Sequence, residues 1–163
     1  LVILSSVNNR LFFLLWKLQK LILGQNLILV NFVVIKSTII ERKDGMFIKP
    51  LNNIPKEEVK AGEKTTRQVL ISPEEGPNFA MRKFTIEPGG EMPMHTNTVE
   101  HEQIVLDGRA KVVIGGKTYE AKKNDVVFIP AGIPHCYKTI GDEPFEFLCV
   151  VPNKEDVMNI LDK

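Results

Sequence analysis

The 163-residue chain is poor in the residues that usually advertise a function. It has three histidines, two cysteines, two tyrosines and one tryptophan. Cys136 and Cys149 form no CxxC pair, and two cysteines are too few for a disulfide framework. They read as small buried residues of a protein in a reduced, cytoplasmic compartment. Cys136 adjoins His135, which leaves a redox thiol or a soft metal ligand as its second reading. Charge of either sign is not in excess, at +1 overall, so neither nucleic acid nor a membrane surface is an expected partner. A Ser-His-Asp order, a phosphate loop and a dinucleotide fingerprint are all missing, which leaves nucleophilic hydrolysis and nucleotide chemistry unsupported.

Long apolar runs are missing too. A membrane-crossing helix needs about 20 mostly apolar residues. The longest clean run here, LFFLLW, covers only residues 11–16 before Lys17. No basic start or small-residue cleavage site marks a secretory signal. Residues 1–45 nevertheless differ from the rest. They hold six Lys/Arg against two Asp/Glu, whereas residues 46–163 hold fifteen against eighteen. Ordinary soluble composition begins at Met46. The expected organisation is a hydrophobic extension over 1–45 and one domain over 46–163, with translation naturally starting at Met46. Membrane association is expected only if the extension is native.

What is present after Thr65 is a series of short apolar or alternating runs separated by turn residues. Strands are predicted over 67–71, 78–87, 101–106, 110–114, 117–121, 126–129, 135–139 and 145–151. Turns are predicted over 73–76, 88–90, 107–108, 115–116, 123–125, 130–134 and 141–144. Asp107-Gly108 and Gly115-Gly116 suit two-residue hairpins, because both central residues can take positive φ. Many short strands indicate a sandwich or a closed barrel. Residues 156–163 read as a brief terminal helix.

All three histidines, His95, His101 and His135, lie beside predicted turns. Imidazole is the commonest side-chain ligand for transition metals, binding through its neutral nitrogen. In an extended segment His95 and Asn97 would share a face, and a turn over 98–100 would fold His101 back toward it. The segment GGEMPMHTNTVEHEQIVLDG, followed by NDVVFIPAGIPHCYKT, resembles the two motifs of the cupin superfamily. Gly89, His95, Asn97, His101 and Gly108 fall on the first motif; Asn124, Pro130, Gly132, His135 and Thr139 fall on the second. The resemblance covers roughly residues 78–151.

The resemblance implies an all-β fold: a small antiparallel barrel of the jelly-roll, or double-stranded β-helix, type, here with the short C-terminal helix added. It also implies a divalent metal (Mn, Fe, Zn or Ni) held by His95, His101 and His135, and pairing into a homodimer. Asn97 stands where a second histidine is usual and His101 where a glutamate is usual. Glu102 is the alternative ligand to His101, and strand alternation lets only one of the two face inward. Asn124 replaces a glycine and suits a left-handed turn, while Thr139 replaces an asparagine.

Three imidazoles and an amide would leave the metal its full charge and favour anionic, chelating small molecules. Gln103 and Val105 would line the cavity with His101. Tyr137, two residues beyond His135, could polarise a substrate, or simply be a packed aromatic. The expected function is a metal-binding cupin acting on a small polar or anionic metabolite, as an isomerase, decarboxylase or oxygenase. A binding or sensor module without turnover is the alternative.

Overall fold

The computed structural model describes residues 45–161; the extension expected over 1–45 lies outside them, Gly45 apart. After a single 3-10 turn at Leu51–Asn53, ten strands follow in chain order. They are β1 (Glu57–Glu58), β2 (Glu63–Ile71), β3 (Phe79–Asn97), β4 (His101–Asp107), β5 (Arg109–Ile114), β6 (Lys117–Lys122), β7 (Val126–Ile129), β8 (His135–Thr139), β9 (Phe145–Pro152) and β10 (Met158–Ile160). All their pairings are antiparallel, and together they make a nearly closed barrel.

The long strand β3 ties the two sides of the barrel together. Its first part, Phe79 to Ile86, pairs with β9 and β2. Its last part, Glu91 to Asn97, pairs with β8 and β10. The Pro88–Gly90 stretch, read above as a turn between strands, is an irregularity inside β3. Gly89 takes φ +72° there, and the register with β2 shifts beside it. Three more residues on β3 than on β2 at this point bend the strand and sharpen its twist, so the chain turns from one side to the other without leaving the sheet.

The strands form where alternation is cleanest. In β4 the buried residues are His101, Gln103 and Val105; in β9 they are Phe145, Phe147, Cys149 and Val151; in β8 they are His135, Tyr137 and Thr139. A period of two sends these side chains into the barrel and their neighbours outward. The core centres on Ile86, Val105, Val112, Ile129, Phe145 and Phe147. Each such side chain contributes roughly 1.5–3 kcal/mol by leaving water.

Two local expectations are corrected. Gly115-Gly116 does close a hairpin, with Ile114 paired to Lys117. Asp107-Gly108 does not: β4 pairs with β7 and β9, and β5 pairs with β6 and β8, so this connection crosses from one side of the barrel to the other. Among the described residues of the 156–163 segment, no helix forms either. Met158–Ile160 is a strand lying against β3. Asn124 takes φ +73°, the left-handed turn conformation expected of it. Among the described residues no helix is long and apolar enough to cross a membrane.

Candidate metal centre

The barrel brings His95, His101 and His135 together from three strands. His95 and His135 are direct partners across β3 and β8, and their ring centroids lie 4.1 Å apart. His101, on β4, has its ring 5.4 Å from that of His135. A bulge at Pro93-Met94 makes the pairing of His95 with His135 possible. The register runs from Met92↔Tyr137 to His95↔His135, three residues on β3 against two on β8.

His95 and His135 are held alike. His95 Nδ1 is 2.7 Å from the Pro93 carbonyl and His135 Nδ1 is 2.8 Å from the Ile133 carbonyl. A carbonyl oxygen can only accept, so each Nδ1 carries a proton. Burial lowers the pKa of all three rings, that of His101 from 6.5 to about 3 and that of His135 to about 4. For His101 the positive charge of Arg82 adds to the burial. Neutral rings protonated on Nδ1 leave Nε2 of His95 and His135 as a lone pair, the form in which imidazole binds a metal.

Glu102 lies on the exposed face of β4 while His101 is buried, so of these two neighbours it is the imidazole that faces inward. Asn97 is buried and donates from Nδ2 to Asp156 Oδ1 at 2.8 Å. Gln103 and Tyr137 meet inside the barrel: Gln103 Nε2 donates to the Tyr137 hydroxyl at 2.8 Å, and Gln103 Oε1 lies 3.1 Å from the same oxygen. The Tyr137 ring stacks on Phe147 at 5.2 Å, and burial raises the phenol pKa, so it stays protonated. Cys149 is buried, with its thiol pKa pushed up to about 11 by burial, and is inert as a nucleophile; Cys136 is half-buried on the other face of β8. Among the described residues, no three His, Cys, Asp or Glu side chains are already arranged so as to hold a metal ion. Two clefts of about 380 and 230 Å³ open elsewhere, at Asp107–Arg109 with Lys122–Lys123, and between Met92, Lys111 and Cys136.

Comparison with known proteins agrees with the fold. The family model for the cupin domain matches residues 82–151. A cupin 2 domain-containing protein from Halorhodospira halophila is 31% identical, covering 59% of this chain and 68% of that one, with a TM-score of 0.55. The chain belongs to the cupin family. The polyketide cyclase RemF from Streptomyces resistomycificus superposes on this cupin with a TM-score of 0.67 and 28% identity, over 72% of this chain and 87% of that one. The 1-methylthio-D-xylulose 5-phosphate methylsulfurylase of Rhodospirillum rubrum is 32% identical over 91 residues, which are 56% of this chain and 58% of the relative. Of other curated relatives the cupin spans only a fifth.

Two half-buried residues at the edge of this cupin's interior carry no signal in the sequence. Arg82, on β3, is paired with Cys149 of β9 and places Nη2 3.6 Å from Asp156 Oδ2. Asp156 itself comes from the C-terminal segment, 59 residues beyond the asparagine it contacts. An arginine inside a strand pattern is ordinarily an outward residue, and nothing local marks this one as internal. Asp156 falls in the stretch whose sequence suggests a short helix.

Proposed function

We propose that this cupin holds one divalent metal ion between His95, His101 and His135 and binds a small polar or anionic metabolite beside it. One observation carries the reading. Among the described residues, the buried side-chain nitrogen and oxygen atoms without a hydrogen-bond partner are Arg82 Nε, Asn97 Oδ1, His101 Nε2 and His135 Nε2. An unmet buried polar atom costs about 1–3 kcal/mol, and folds seldom tolerate several together. Here all four belong to one interior. Asn97 Oδ1 and His135 Nε2 offer lone pairs, and His101 Nε2 does so when its ring is protonated on Nδ1, which suits a cation; the fourth is an N–H on a guanidinium, which suits an anion.

The donor chemistry therefore fits a divalent metal, with neutral imidazoles as ligands of the borderline kind that take Mn, Fe, Zn or Ni. A metal bound there supplies a Lewis acid for a carbonyl or carboxylate oxygen. Arg82 Nε–H is the group that can receive the ligand's negative charge. Gln103 and Tyr137 orient each other behind His135, and the protonated phenol is available to donate once Gln103 yields. The names of two relatives, a methylsulfurylase of a sugar phosphate and a polyketide cyclase, support a small oxygen-rich substrate. That of the oxalate decarboxylase of Bacillus subtilis, 31% identical over 76 residues, supports decarboxylation among the isomerase, decarboxylase and oxygenase chemistries expected of this chain.

The test is metal analysis of the purified chain and of His135→Ala. About one divalent ion per chain is expected, with at least ten-fold weaker retention in the variant. A chain free of divalent metal after growth in supplemented medium, and taking up none on titration, would refute the reading. A second reading is ligand binding without turnover. It is favoured by the mutual hydrogen bonding of Gln103 and Tyr137 and of Asn97 and Asp156, which leaves these groups engaged with one another rather than free for proton transfer. Consumption of a candidate ligand by the metal-loaded chain separates the two.

A further inference from the structure

Asn97 is the residue at which this chain departs from the motif, and its surroundings determine which end of its amide points where. The residue closes β3, is 4% exposed and pairs with Met158 of β10. Its Nδ2 lies 2.8 Å from Asp156 Oδ1. An ionised carboxylate has no proton to give, so the end of the amide facing it must be the NH₂. The carbonyl oxygen, Oδ1, then points away from Asp156, and there it is buried and unpartnered.

Asp156 is not loosely placed. Arg82 Nη2 lies 3.6 Å from its second oxygen. On either side of it the chain is tied to Thr98, whose hydroxyl donates to the Glu155 carbonyl at 2.9 Å and accepts from Val157 N at 2.9 Å. Strand β10 then pairs Met158 with Asn97 and Ile160 with His95, and Leu161 N donates to the Met94 carbonyl at 2.9 Å.

We propose that Asp156 is a positioning residue: it locks the Asn97 carboxamide so that Oδ1 is a fourth, oxygen donor beside the three imidazoles, and the centre is complete only when the C-terminal segment is docked on β3. The inference rests on the metal reading above and deepens it. A free asparagine could present either end of its amide, and the NH₂ end would repel a cation. With Asp156 in place only the oxygen is available. The resulting donor set carries no charge, and Arg82 offsets Asp156, so the bound ion keeps its full charge for an anionic ligand.

Titration with Co²⁺ alone, followed by visible absorption and by competition with a chelator, tests this in the full chain. Asn97→Leu and Asp156→Ala should each bind Co²⁺ about 10–100-fold more weakly, the usual loss when a ligand's orienting partner is removed. Both should shift the d–d bands, and the double variant should lose no more than the worse single one. Asp156→Asn keeps the size of the side chain but can face Asn97 with either end. It should therefore lose affinity while its metal-free urea midpoint stays near wild type, which guards against simple misfolding. Wild-type affinity and spectrum in Asn97→Leu would overturn the inference, as would a loss in Asp156→Ala with none in Asn97→Leu. If His135→Ala abolishes binding while the 97 and 156 variants match wild type, the metal reading stands and this inference alone falls. If the wild-type chain takes up no Co²⁺, both fall.

Discussion

At Tyr137 and Gln103 two polar side chains satisfy each other in a place where water does not reach. Tyr137 is 3% exposed and Gln103 5%, and their hydrogen bond joins β8 to β4 through the barrel. Removing one partner strands the other, whereas removing both removes the debt. Tyr137→Phe should thus lower stability by about 1–3 kcal/mol, read as the urea midpoint, because the Gln103 amide loses its best partner and keeps only Cys149 Sγ at 4.0 Å. Tyr137→Phe combined with Gln103→Leu should recover part of that loss. Equal midpoints for wild type and Tyr137→Phe would show that the pair holds nothing. Residues on this scale were partly legible beforehand. His95, His101 and His135 announce themselves by scarcity and motif spacing, and Gln103 follows from His101 by alternation. The orientation of Asn97 was not legible, because it depends on a carboxylate 59 residues away whose only local signal suggested a helix.

At the level of elements, β4 to β9 could be read to within a residue or two, β6 and β7 from their bounding turn residues rather than from alternation. The extents of β2 and β3, and the short β1 and β10, could not. A Pro-Gly-Gly run ordinarily ends a strand, but in β3 it makes a bend, since β2, β8 and β9 hold the chain on both sides of it. Three exposed residues such as Met158–Ile160 carry no period at all, so only the neighbouring edge of β3 decides their conformation. The Asp107-Gly108 connection shows a similar tertiary override. Gly108 has φ +72°, and a Cβ there would fall 2.1 Å from the Pro144 carbonyl oxygen, a backbone atom that cannot step aside. Gly116 has φ +80° but nothing within 4 Å of that position. Gly116→Ala should therefore cost only the left-handed conformation, about 1–2 kcal/mol. Gly108→Ala adds overpacking worth about another 1–3 kcal/mol. Thermal unfolding of the two variants side by side tests the contrast. Similar losses would mean that the crossover loop yields freely.

For the molecule as a whole, the barrel encloses its three histidines as neutral rings, and that choice ties stability to pH. Their unfolded pKa is 6.5, while the folded values are lowered, to about 3 for His101 and about 4 for His135. Above pH 6.5 neither state binds the proton, and the burial costs nothing on this account. Below it the unfolded chain takes up protons that the folded barrel refuses, so stability falls with falling pH until the folded values are reached. The slope approaches about 1.4 kcal/mol per pH unit for each histidine left neutral. Carboxylates titrate mostly below about pH 5, so the interval from about pH 7 to 5 reports the imidazoles. The metal-free chain should lose urea resistance steadily across that interval, and His101→Gln should flatten the slope by about one proton. Divalent metal should oppose the same loss, since ligation and protonation compete for Nε2. A wild-type slope no steeper than that of His101→Gln would mean that His101 takes its proton inside the folded barrel as readily as outside it.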